Sequence, residues 1–264
     1  MTRLAIALSL LCAPLIAQSA AFDHSLWDAL LRRHVLSFDA GHTTRVDYDG
    51  MAHDQAELRA YLTLTSSISR AVFDRWSTTE QLAFLLNAYN AWTIELVLTG
   101  YPRIASIKDL GSLLQSPWKK PFVRLLDATR SLDDIENGLI RGSDRYRDPR
   151  VHFALNCASI GCPALRAGAY VPARLDAQLE ESASRFLSDR HRNRFAGGTL
   201  AVSRIFDWYE DDFAQGWRGA RSVGAFLELY AKALGLDGET ARRVAAGEVT
   251  IEFLPYDWNL NRAP

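Results

Sequence analysis

The stretch QLAFLLNAYNAWTIELVL at 81–98 constrains the fold more than any other part of the chain, because it is apolar on nearly every face of a helix. A helix with a single apolar stripe lies on a surface, whereas one with no polar side has to be covered all round. Ser77 and Glu80 have the spacing of a capping box, and Gly100 stands where a left-handed residue closes a helix. The pattern predicts a buried helix over 79–98 at the centre of the domain. Asn87 and Asn90, three apart, share one side of it. A buried amide without partners costs about 1–3 kcal/mol, so both are expected to be hydrogen-bonded, at least one of them to the segment HFALNC.

Helical periodicity is also clear at 24–36, 54–68, 174–189 and 222–235, while 45–48, 122–126, 151–156, 199–203 and 249–253 read as short strands. The two kinds of element do not alternate regularly, which predicts an α+β fold. The expectation is a single domain over 22–264, with a buried central helix and a small, mostly antiparallel sheet; papain-like and transglutaminase-like folds are the candidate templates. No Gly/Ser or Pro linker and no internal repeat divides it.

The chain opens with Arg3, an apolar run from Leu4 to Ile16 and the small residues Ala17, Ser19, Ala20 and Ala21. That layout predicts a signal peptide over 1–21, with cleavage between Ala17 and Phe22 and a periplasmic or secreted product. The run is shorter than the roughly 20 residues that span a bilayer, so no membrane anchor is expected after cleavage. Thirty Lys and Arg against 31 Asp and Glu leave no net field toward nucleic acid, and no nucleic-acid partner is expected.

Beyond the leader the chain has two cysteines, Cys157 and Cys162. In an oxidising compartment a disulfide is the default for such a pair. A loop this short removes little chain entropy, and a domain this large does not need the bond. Function therefore competes with structure for the pair. Cys157 follows an expected strand and sits in a turn with Ala158 and Ser159, and loops at strand ends commonly present reactive groups. His152 is the imidazole close to it in sequence. On a strict strand the two would face opposite sides, so they meet only if the chain bends near Asn156.

Upstream, SLDDIENGLIR reads as a helix with Asp133 as N-cap and Glu136 reaching back to it. The functional alternative makes Glu136 the acid that orients a histidine, and Arg141 a clamp for a substrate carboxylate. The acidic FDWYEDDF at 206–213 carries no histidine, and the aromatics within it suggest an amphipathic turn; no metal site and no cofactor are expected.

With VDY at 46–48, QLAFLLNAYNAWTIELVL, SLDDIENGLIR, PRVHFALNCASIGCPAL at 149–165, FDWYEDDF and YDWNLN at 256–261, the chain resembles the family catalogued as domain of unknown function 547 from about Trp27 to Asn261. Members commonly read Glu-His where Glu136-Asn137 stands here, which removes one candidate base. Plant relatives often have another residue in place of Cys162 while keeping the equivalent of Cys157, which implies that a bridge is dispensable and that Cys157 is a free thiol.

The residues combine into a cysteine-dependent hydrolase or acyl transferase acting on an amide or peptide bond. In that reading Cys157 is nucleophile, His152 general base and Glu136 the orienting acid, with Asn87, Asn90, Arg141 and Ser159 as substrate or oxyanion contacts. The alternatives are a non-catalytic domain that binds a small molecule or peptide, and thiol redox chemistry between Cys157 and Cys162.

Overall fold

Residues Thr78–Leu98 form one uninterrupted helix of 21 residues at the centre of the protein, and 15 of them are buried. Its start is a capping box: the Glu80 backbone N–H donates to Ser77 Oγ, and the Glu80 carboxylate accepts from the Ser77 backbone. Gly100 is not left-handed. A side chain there would strike Leu110 and Ile104 at 2.5 and 2.9 Å, so the glycine serves close packing of the following loop.

The computed structural model describes residues 21–112 and 114–264, so the expected signal peptide lies, all but Ala21, outside the described residues. The architecture is α+β. Helix Gln55–Ser66 packs on the central helix and Ser25–His34 packs on Gln55–Ser66, and Leu175–Ser188 follows later in the chain. Strands β1 (Val35–Phe38) and β2 (Thr43–Val46) pair antiparallel, as do β3 (Val123–Leu125) and β4 (Ala128–Arg130). In the third sheet β5 (Arg194–Ala196) meets β6 (Thr199–Ser203) antiparallel, and β6 meets β7 (Thr250–Leu254) parallel. Gly197 and Gly198 both have positive φ in the two-residue turn between β5 and β6, the conformation such a hairpin requires. No helix among the described residues is long and apolar enough to cross a membrane.

Two apolar clusters make up the interior. The larger surrounds the central helix, with Trp27, Tyr61, Phe84 and Ile94 among its members. The other is built on Phe186, Phe206, Phe213 and Phe226. The segment 149–156 runs between them, giving Val151, Ala154 and Leu155 to the first and Phe153 to the second.

That segment is not the expected strand. Pro149–Phe153 is a 3₁₀ helix, opened by Asp148, whose carboxylate accepts from the Arg150 backbone N–H, and by Pro149 at the first helical position. The Arg150 side chain, 4% exposed, holds the turn by bonding Asp148 at 2.7 Å, Asp176 at 2.6 Å and Glu180 at 2.9 Å. SLDDIENGLIR is helical as expected but capped differently. Ser131 Oγ accepts from the Asp134 backbone and the Asp134 carboxylate accepts from that of Ser131, which releases Glu136 from capping. From Asp134 to Arg141 the helix widens to π geometry, a form that often accompanies functional sites.

At the opposite end of the chain His24 is buried, with Nδ1 2.7 Å from the Tyr61 hydroxyl. Burial pushes its pKa from 6.5 down to about 4. A lowered imidazole pKa leaves the fold fully stable above 6.5 and destabilises it progressively as pH falls through about 4, because the unfolded chain takes the proton first. The loss is on the order of 3 kcal/mol. Urea midpoints are expected to fall across that window in the natural protein and to fall less in His24→Phe; parallel curves would remove His24 as the cause.

Candidate functional site

The two amides of the central helix are consumed by backbone. Asn87 donates to the Tyr170 carbonyl at 2.8 Å and accepts from the Tyr170 N–H at 3.0 Å. Asn90 donates to the Ala154 carbonyl at 3.0 Å and accepts from the Asn156 N–H at 2.8 Å. Each side chain thus imitates a neighbouring strand for a segment that has none. Asn90 faces the HFALNC segment, as its burial required, but neither Asn87 nor Asn90 is among the residues that line the cavity beside Cys157, so neither is placed to meet an oxyanion there.

Asn156 continues the same device into the turn. Its side chain donates to the Pro163 carbonyl at 2.8 Å and accepts from the Ala158 N–H at 3.0 Å. Ala158 has φ +60°, a left-handed conformation that costs a residue with a Cβ about 1–2 kcal/mol. The C-terminal stretch YDWNLN over-determines this turn. Asn259 and Asp257 carbonyls accept from Ile160 and Gly161 at 2.8 Å each, and the Asn261 N–H donates to the Ala158 carbonyl at 3.1 Å. Asn261 is tied in turn to VDY, since Tyr48 donates to its side chain at 2.8 Å. Gly161 suits this contact, because a Cβ would lie 3.0 Å from the Asp257 backbone, tighter than ordinary packing.

The turn presents Cys157, half-buried, in the wall of a cavity of about 270 Å³. His152, Glu136, Tyr89, Tyr209, Tyr256 and Cys162 line the same cavity, together with Asp133, Asn137, Ser116 and the rings of Trp118, Trp208 and Trp258. Both cysteines are free. The hydroxyls of Ser159 and Tyr256 each lie 3.2 Å from Cys157 Sγ, and Cys162 Sγ accepts from the Cys157 backbone N–H at 2.8 Å. Burial pushes the Cys157 thiol up, but hydrogen bonds from Cys162, Ser159 and Tyr256 outweigh it and leave the pKa below the ordinary thiol value. Burial and the neighbouring Cys157 push Cys162 well above that value. Cys157 is therefore the more readily ionised sulfur of the two.

His152 is buried, stacked on Tyr209 with ring centroids 3.9 Å apart. Its Nε2 lies 2.7 Å from Asp212 Oδ2, which also accepts from Arg141 Nε at 2.6 Å. Burial raises the Asp212 carboxyl, but the hydrogen bonds from His152 and Arg141 dominate and hold it well below the usual carboxylate range. A carboxylate can only accept, so this bond places the imidazole proton on Nε2 and the lone pair on Nδ1. His152 and Cys157 share the cavity without a direct hydrogen bond between them.

Glu136 does not orient His152. Its two oxygens accept from the hydroxyls of Tyr89 at 2.9 Å and Tyr209 at 2.7 Å, and through Tyr209 it supports the ring on which His152 stacks. The acid bonded to the histidine is Asp212, sixty positions away in the FDWYEDDF run. Arg141 is committed to Asp212 and to the Asn137 side chain rather than left free as a carboxylate clamp. Ser159 is beside the sulfur, as its place in the turn implied. Sequence reading missed Asp212 because the run that holds it was read as an amphipathic turn. The available signal was the spacing of Tyr209 and Asp212, three apart on one side of a helical turn.

Residues 73–187 match the model of a family described as a protein of unknown function, DUF547. No curated protein and no solved structure matches the chain.

Proposed function

We propose that the chain, which belongs to the DUF547 family, is a cysteine-dependent hydrolase or acyl transferase acting on an amide or peptide bond, with Cys157 as nucleophile, His152 as general base and Asp212 as the acid that orients it. One observation carries the reading: a partly exposed thiol, held below its ordinary pKa, shares a cavity with a buried histidine bonded to a carboxylate. Those are the roles that thiol catalysis of acyl transfer needs.

In this mechanism the Cys157 proton passes to Nδ1 of His152 through a water in the cavity, since the two side chains are not directly bonded. The thiolate attacks the acyl carbon and its π electrons move to oxygen, where the Tyr256 hydroxyl supplies a hydrogen bond. Collapse expels the amine, which takes its proton from the imidazolium, and leaves a thioester on Cys157. Water completes hydrolysis, or a second amine completes transfer. Asp212 stays ionised throughout and stabilises the imidazolium.

Iodoacetamide tests the first step. Cys157 is expected to be alkylated in the folded, reduced protein with an apparent pKa below the ~8.5 of a free thiol. The rate at neutral pH should fall about tenfold or more in His152→Ala. A thiol that reacts only in denaturant, and is indifferent to His152, would move the cavity to the binding-domain reading.

One contact favours a second reading. The acidified, half-exposed Cys157 beside the buried, less acidic Cys162 is the asymmetry that dithiol redox chemistry uses. Cys162→Ser separates the two: an acyl transferase keeps its turnover without the second sulfur, and a dithiol oxidoreductase does not.

A further inference from the structure

The lining of the cavity around Cys157 carries carboxylates without a basic side chain among them. Asp133 and Glu136 line it, and no Lys or Arg does among the described residues. Glu136 is half-buried and held by two phenols, which are neutral donors: they fix the carboxylate in place without forming an ion pair with it. The neighbouring cation, Arg141, is bonded to Asp212 and reaches Glu136 only through space. A partly buried carboxylate without an ionic partner is costly, and such groups are normally paired or face a ligand.

The cavity also has an aromatic wall. Trp258 meets Trp118 edge-on at 5.8 Å and stacks with Trp208 at 5.6 Å. Trp208 is 41% exposed, with a large part of its ring free to take a ligand. This wall already holds an ammonium, since Lys108 Nζ sits 3.6 Å from the Trp258 ring centre. Ring faces attract cations through their quadrupole, more strongly where water is excluded.

Resting on the acyl-transfer reading, we propose that the substrate carries a primary ammonium, as a lysine-like side chain does, bound between the Glu136 carboxylate and the tryptophan wall beside Cys157. An uncharged sugar ring could stack on the same tryptophans, but it would leave Glu136 without an ion pair.

The test uses methanethiosulfonates on the full chain. The Cys157 thiolate attacks the sulfenyl sulfur, a mixed disulfide forms, and methanesulfinate leaves with the electron pair. Rates with the 2-aminoethyl (cationic), methyl (neutral) and 2-sulfonatoethyl (anionic) reagents are each divided by the rate with 2-mercaptoethanol. The cationic reagent is expected to be favoured over the anionic one by about tenfold or more, and the preference should shrink severalfold in Glu136→Gln. Asp133→Asn stands in if that variant does not fold. A corrected ratio near one, or a ratio unchanged in a folded variant, overturns the proposal. Independently of the thiol, Nα-acetyl-lysine amide should quench tryptophan fluorescence of Cys157→Ala at lower concentration than Nα-acetyl-norleucine amide, from which it differs by the ammonium. Equal binding of the two, or stronger binding of N-acetylglucosamine, overturns it as well. Failure of every reagent at Cys157 refutes the nucleophile instead, and the two amides then still decide the charge.

Discussion

Asn90→Leu is expected to lower the melting temperature by on the order of 10 °C. The leucine fills the space of the amide but answers neither of its partners, the Ala154 carbonyl and the Asn156 N–H, both buried. Each orphaned backbone group costs roughly 1–3 kcal/mol, so the pair removes about 3–5 kcal/mol. A domain of this size loses about 2–4 °C for each of them. Far-UV circular dichroism on heating measures the shift. The same change frees the chain just before Cys157, so the alkylation rate of that thiol should also move in the protein that remains folded. A melting temperature within a degree or two of the natural protein would mean that the two backbone groups find other partners.

Why that segment depends on borrowed amides bears on what the sequence could reveal. Alternation and apolar runs announce elements whose hydrogen bonds are made within themselves, and the central helix and β6 were legible for that reason. The segment 149–156 satisfies its backbone through side chains from far away in the chain, and its apolar run looked like a strand. Asp148-Pro149 was the contrary signal, since a capping acid before proline opens a helical turn. The bend resolves the difficulty of facing: as a strand, His152 and Cys157 would have pointed apart, whereas a 3₁₀ turn followed by the left-handed Ala158 brings both to one cavity.

Among the site residues, those close in sequence were legible and those brought in by the fold were not. Cys157, His152 and Ser159 lie within eight positions of one another, and the chemistry of the residue types was enough to single them out. Tyr256 and Asp212 arrive from the last fifth of the chain, through contacts that no local pattern encodes. Glu136 was correctly drawn to the cavity but for another purpose, because the Ser131–Asp134 box released it from the capping role its position suggested. The motifs VDY and YDWNLN have no chemistry of their own in sequence; their meaning lies in Tyr48, Asn261, Asn259 and Asp257 holding the Cys157 turn in a conformation that would otherwise relax.

Asp212→Asn is expected to reduce acyl transfer from an activated ester such as p-nitrophenyl acetate by roughly 10²–10⁴-fold while leaving the fold in place. The carboxylate can only accept, which keeps the proton on Nε2 of His152 and the lone pair at Nδ1. An asparagine amide can present its NH₂ instead, drawing the lone pair to Nε2 and putting the proton on Nδ1. The base is then lost without any displacement of the ring, which Tyr209 and Phe213 still pack. Arg141 also loses its counter-charge, but a half-buried guanidinium pays about 1 kcal/mol or less for that, so the melting temperature should fall by only a few degrees. An unaltered rate in Asp212→Asn, with the rate collapsing in Glu136→Gln toward the same uncharged ester, would return the orienting role to Glu136.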